Sequence, residues 1–238
     1  MKLGDLSVGY LYSLQATLRS LGHDPAALRL GNAAIALSGR ADIGLLMGGY
    51  SQPSHLGLAG MAAQCAGSLK QAFDTLVRYE RLSNQNYRGH SSFNPPALRF
   101  YSISPYNAFN LFVVDSALAS RAHLGRELTG GAAQLEAVHI EFPAPAYAES
   151  YEQLFGCPVL FGQQHNQLIW QSNSLGLSLQ QSAAATFRHL ESLCESHLQE
   201  LSRHRRLREK VEEIVSPQLH RQLPSLSAVA RDLGMASW

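Results

Sequence analysis

From Ile43 to Leu69 the chain runs for 27 residues without an Asp, Glu, Lys or Arg, and a stretch of that length has to leave water. Either lipid or a protein core can take it. A membrane helix needs ~20 consecutive, predominantly apolar residues. Here Gly44, Gly48, Gly49, Ser51, Gln52, Pro53, Ser54 and His55 interrupt the apolar character, and Gln64 and Ser68 dilute the rest. Such groups are costly in hydrocarbon, so the segment is expected inside a folded core, with no membrane partner. The chain can build one: of 238 residues 45% are hydrophobic and only 16% charged, against a usual ~25% charged. Its length suits one full domain and a smaller second piece.

Nineteen Lys and Arg against eighteen Asp and Glu leave a formal charge of +1. The resulting pI of about 7.8 lies well below the value above ~9 typical of a dedicated nucleic-acid-binding module, so any polyanion contact must be local. Three cysteines, Cys65, Cys157 and Cys194, without a Cys-x-x-Cys spacing, argue against a disulfide framework or a zinc knuckle. An acid at Asp5 stands where a secretory signal would place its apolar run. These features lead us to expect a cytoplasmic chain.

Periodicity divides the sequence. Val8 to Leu21 has helical spacing, Asp24-Pro25 has the pattern of a helix start running on to Leu37, Pro53-Ser54 opens a third helix, and Ser68-Leu69-Lys70-Gln71 a fourth that carries Phe73, Leu76, Val77, Tyr79 and Leu82. Beyond Gly89 the texture changes. Ala97 to Ile103 and Ala137 to Phe142 alternate as strands, separated by an apolar helix from Tyr106 to Leu124 and followed by another from Tyr147 to Phe155. Cys157 to Phe161 and Gln167 to Trp170 flank a polar loop, the pattern of a β-hairpin. The expected fold is α+β: a helix-rich domain with a small, mostly antiparallel sheet.

A long helix is expected from Leu179 to Val215. Leu190, Leu193, Cys194, His197, Leu198 and Leu201 fall on one stripe. The helix runs into Arg203, Arg205, Arg206, Arg208 and Lys210, five fixed cations within eight residues. His189 is about 12 Å along the helix axis from His197, so the histidines and Cys194 do not form a metal site. No G-x-S-x-G, H-E-x-x-H, P-loop or G-x-G-x-x-G is present. No enzyme and no cofactor are expected.

The block Leu226-Ser227-Ala228-Val229-Ala230-Arg231-Asp232-Leu233-Gly234-Met235 resembles the first helix and turn of a helix-turn-helix, with Leu226, Val229, Ala230 and Leu233 as its buried face and Gly234 at a turn needing positive φ. It is similar to the AraC/XylS-type transcription regulators. Val138 to Pro145, Tyr151 to Phe161 and Asn166 to Trp170, with His55 to Gly60 and Ser68 to Phe73, resemble the arabinose-binding type of effector domain found in those regulators.

The resemblance implies an effector-binding domain over 1–178, a linker and dimerisation helix over 179–215, and the start of the helix-turn-helix over 216–238. It implies a small-molecule effector, a homodimer through the Leu190 to Leu201 stripe, and operator DNA read through a recognition helix that would follow Trp238. The basic run would touch phosphates. Apolar pockets with a few directed polar groups are the usual ligand site, and the candidates are Tyr79, Tyr87, Arg99, Tyr101 and His139. A stand-alone small-molecule-binding and dimerisation module without DNA activity is the alternative.

Overall fold

The computed structural model describes residues 13–14, 17, 31–83, 89–102, 106, 108–203, 210–211, 214–215 and 224–235. The expected helix from Val8 to Leu21 falls mostly outside them, although Ser13, Leu14 and Thr17 are helical. The next helix is described as α1, Gly31–Ser38. The charge-free segment folds as α2 (Ile43–Gly48), a 3-10 turn (Pro53–Leu56) and α3 (Gly57–Gln64). Ile43, Leu45, Met47, Ala59, Ala62 and Ala63 are buried. Among the described residues, no helix is long and apolar enough to cross a membrane.

Helix α4 (Leu69–Arg78) starts where its cap predicts: the Ser68 hydroxyl accepts the Gln71 backbone N–H at 3.3 Å. It does not continue to Leu82. The chain breaks at Tyr79 and resumes as the short α5, Glu80–Ser83. Strands β1 (Gly89–Asn94) and β2 (Ala97–Ser102) follow, then α6 (Ala108–Leu128) and β3 (Leu135–His139). Helix α7 (Ala148–Phe155), β4 (Val159–Leu160), β5 (Asn166–Trp170) and α8 (Ala184–Arg203) complete the main body. Helix α9 spans Leu226–Asp232.

The five strands form one sheet in the order β1-β2-β5-β3-β4, antiparallel except for the parallel β3-β4 pair. The expected hairpin between Cys157 and Trp170 is therefore corrected. Strand β3 lies between β4 and β5, so β5 pairs with β2 and β3 instead of with its sequence neighbour. One face of the sheet presents Leu98, Phe100, Val138, Leu168 and Trp170 to a core shared with Phe73 of α4, Leu118 and Ala122 of α6, and Tyr151 and Phe155 of α7. Helix α6 runs past Gly125, which the sequence reading places just beyond its end. That glycine makes room for the Trp170 ring: a Cβ there would lie 2.4 Å from Trp170 Cη2.

The long helix begins at Ala184, not Leu179. Leu179 is buried in the main core, the Gln180 N–H donates to the Leu128 carbonyl, and the Ala183 N–H donates to the Cys65 carbonyl. These ties hold the connector against the sheet domain before the helix departs. The three cysteines are free thiols.

Candidate functional site

Alternation along a strand sends successive side chains to opposite faces. With Leu98 and Phe100 turned into the core, Arg99 and Tyr101 must face the other way. The registers carry that face across the sheet: Ser92 pairs with Arg99, Arg99 with Gln167, Gln167 with His139, and His139 with Leu160. One row of side chains thus crosses all five strands. Beside it lies a second row of rings. His90 pairs with Tyr101 and stacks on it with centroids 4.6 Å apart, and His165 meets the Tyr101 edge at 6.3 Å.

The first row is linked by directed hydrogen bonds. Arg99 Nε donates to Gln167 Oε1 at 2.9 Å, and Gln167 Nε2 lies 3.0 Å from His139 Nδ1. A guanidinium can only donate, so it fixes the amide with its oxygen toward Arg99 and its NH2 toward His139. An NH2 group is itself only a donor. His139 Nδ1 must accept, which leaves Nε2 as the N–H donor of the ring. Among the described residues no carboxylate pairs with Arg99, and its Nη groups meet no acceptor. The carboxylate at the end of β3, Glu141, is taken by the Tyr106 hydroxyl, which also accepts from Asn166 Nδ2 at 2.8 Å. Burial and the bond to Glu141 hold the Tyr106 phenol well above its ordinary range.

Of the five expected ligand residues, the fold brings Arg99, Tyr101 and His139 onto this face. Tyr79 is elsewhere, fully buried in a cluster with Ala59, Ala62, Leu190 and Cys194, so its place on a shared ligand face is corrected. Its hydroxyl donates to Glu195 Oε2 at 3.3 Å, and burial pushes its pKa up to about 12. Tyr87 lies outside the described residues. Sequence reasoning missed Gln167, His90, Ser92 and His165. Gln167 was legible in principle, since Leu168 and Trp170 fix the parity of β5. His90 and Ser92 depend on β1, whose Gly-His-Ser-Ser-Phe-Asn sequence has little β-former character, and His165 lies in the loop before β5.

A second polar cluster lies in the core. Asp115 on α6 is fully buried and accepts hydrogen bonds from the Tyr147 hydroxyl, at 2.9 Å, and from the Tyr151 hydroxyl. Burial pushes its pKa up to about 7 against the pull of those two donors.

The stripe on α8 is also corrected in part. Leu190 and Cys194 are buried within the chain itself, against α3 and Tyr79, and cannot meet a second copy. Their burial follows from the connector, which returns the helix to the domain at Cys65. Burial in turn holds the Cys194 thiol above its ordinary range. Leu193, Leu198 and Leu201 are half-buried, and His197 is exposed. Glu195 adds an ion pair to Arg78 at 3.0 Å. In the basic run, Arg203 ends α8 and Lys210 is exposed, while Arg205, Arg206 and Arg208 lie outside the described residues.

In α9 the Ser225 hydroxyl accepts the Ala228 N–H at 3.2 Å, and Gly234 has φ +66° as the turn requires. Val229 is buried, with Ala230 and Leu233 half-buried. Leu226, expected on the buried face, is 76% exposed. It directly follows the Ser225 cap, in the first turn of a helix only seven residues long.

Comparison with known proteins accords with this architecture. The ornithine utilization regulator of Pseudomonas aeruginosa is 26% identical over 200 residues, covering 83% of this chain; the chain spans 59% of that relative's length. The crystal structure of the transcriptional regulator CdpR from Pseudomonas aeruginosa shares the fold, with a TM-score of 0.62 at 19% identity over 94% of this chain and 75% of that one. Residues 15–179 match the arabinose-binding domain of AraC transcription regulators, N-terminal, and the chain accordingly belongs to that family.

Proposed function

We propose that this chain is the effector-sensing region of an AraC-type transcription regulator, and that the effector binds on the polar face built from Arg99, Gln167, His139 and Tyr101. The observation that carries the reading is that three expected residues, Arg99, His139 and Tyr101, lie on one sheet face, with Arg99 and His139 linked through Gln167 by directed hydrogen bonds. The role is that of a sensor, with no catalytic step and no cofactor. In this reading 1–178 senses, 179–215 transmits and supports a homodimer, and 216–238 opens the helix-turn-helix through which operator DNA is read in the cytoplasm.

Helix α8 is suited to transmission because it is seated on the sensor. Cys194 and Leu190 lock it to α3, and Tyr79 and Arg78 reach it from the end of α4. A ligand that favours one packing of α4 on the sheet would bias the helix by its differential affinity for the two states. Leu201, and the outer faces of Leu193 and Leu198, which pack in part on the α3 cluster, remain to meet a partner copy, and the basic run from Arg203 to Lys210 to meet phosphates.

A thermal-shift screen of sugars, amino acids including L-ornithine, and fatty acids tests the reading, with hydrogen exchange on α8 measured for each hit. A ligand at one hundred times its dissociation constant adds ~2.7 kcal/mol. The expected result is a hit that is weakened by His139→Gln and that changes exchange along α8. Binding unaffected by substitutions at Arg99, His139 and Tyr101 would reject the sheet face.

A further inference from the structure

We infer that the sheet face takes a small organic carboxylate, held by Arg99 and His139, beside the covered row of rings around Tyr101. The inference rests on the sensing role just proposed and adds the chemical class of the ligand. Three observations support it.

The first is charge. Arg99 is half-buried, and its one bond among the described residues is to a neutral amide. Removing a cation from water without an anion is unfavourable, and the planar fork of a guanidinium matches a carboxylate. Other half-buried guanidinium groups of this chain are satisfied internally. Arg121 pairs with Glu80 and Ser91, and Arg126 donates to the carbonyls of Leu154 and Phe155. Arg99 differs from both in having its Nη donors still to place.

The second is direction. The amide of Gln167, oriented by Arg99, makes His139 present an N–H at Nε2. Two donor groups therefore flank one buried amide, on adjacent positions of a single cross-strand row. A carboxylate has acceptors for both, whereas a sugar hydroxyl or a ligand ammonium would bring further donors to a place already rich in them. Glu141, an acid at the same end of β3, is held by Tyr106 and is not spent on Arg99.

The third is shape. Tyr101 is 7% exposed, although it stands on the face turned away from the main core, and its ring lies between His90 and His165. That row is two residue pairs along the strands from Arg99, and its covered rings bound the space beside the guanidinium on that side.

The test pairs each carboxylate with its neutral amide: benzoate with benzamide, and hexanoate with hexanamide, each at about 20 mM so that weak binding registers. Thermal shift is read on the 238-residue chain, and side-chain NMR follows Arg99 Nε and the His139 ring. The expected result is a rise in Tm with at least one carboxylate and none with its amide, with both side-chain resonances moving. Arg99→Gln should weaken that binding at least about tenfold, and Arg188→Gln, a change at an exposed arginine on α8, should leave it unchanged. Near-UV circular dichroism verifies that Arg99→Gln folds; if it does not, the wild-type NMR titration and His139→Gln decide.

If the amides bind as well as the acids and still move Arg99 and His139, the carboxylate assignment fails while the sheet face survives as the site. If the acids bind but move neither residue, both readings fail. No response to either acid overturns the carboxylate assignment alone, and the wider screen then still bears on the face.

Discussion

Asp115 is a fully buried carboxyl that, among the described residues, is bonded by two tyrosine hydroxyls and by no cation, and its titration sets a measurable pH dependence. Burial raises its pKa from 3.8 to about 7, and Asp42 nearby adds to the rise. Between those values the unfolded chain has released the proton and the folded chain keeps it, so the native state binds more protons and stability falls as pH rises. The Asp115→Asn variant lacks this slope. Relative to wild type it should gain stability from pH ~4 to pH ~7, by up to about 4 kcal/mol across the window. Urea unfolding midpoints at four pH values would show it, and parallel curves for the two proteins would refute the assignment. At the same scale, the sequence offered Arg99, Tyr101 and His139 only as polar or aromatic side chains in strand-like segments, with no spacing that singled them out. It could not mark Asp115, since one acid within an apolar helix looks the same whether it faces water or two tyrosine hydroxyls.

Helices α2 and α6 cross closely enough that side chains would collide. A Cβ built on Gly48 would lie 2.2 Å from Ala119 Cβ, and one on Gly44 would lie 2.7 Å from the Phe112 carbonyl oxygen. Two small residues four apart make one groove on α2, and overfilling it forces the helices apart. Gly48→Ala should therefore destabilise by about 1–3 kcal/mol despite the better helix propensity of alanine. An unchanged urea midpoint would mean that the helices separate at no cost. The cap of α4 gives a smaller effect: Ser68→Ala should cost ~1 kcal/mol by leaving the Gln71 N–H without its acceptor. That cap was readable from four consecutive residues because it is a local hydrogen bond. The sheet order was not. Whether Asn166–Trp170 pairs with the strand before it or with β2 and β3 depends on contacts between residues distant in the chain.

For the molecule as a whole, the seating of α8 decides which apolar residues can serve assembly. Leu190 and Cys194 pack against α3 and Tyr79 within the chain, so Cys194→Asp should lower the stability of the single chain by several kcal/mol through burial of an unpaired charge. Leu201→Asp lies farther along the helix, where the side chain is half-buried. It should leave folding intact and shift sedimentation toward monomer; an unchanged dimer mass would exclude this part of the stripe from the interface. On the proposed phosphate-contacting role of the basic run, each contact removed should reduce the salt slope of DNA binding by ~0.9, as gel shifts at graded salt would reveal.

Taken alone, the sequence determined the features set by neighbours along the chain. These are the α+β class, the start of α4 at Ser68, the turn at Gly234, the core placement of the charge-free segment, and the family resemblance carried by contiguous motifs. Each rests on periodicity, caps or φ preferences that act over a few residues. Only the tertiary structure decided that β3 separates β4 from β5, that Gly125 admits a tryptophan ring instead of ending a helix, and that Leu190 and Cys194 of the α8 stripe are buried within the chain itself. The physical reason is common to all three. A side chain's apolar character says that it must be covered, and the partner that covers it is chosen by packing between segments far apart in the chain.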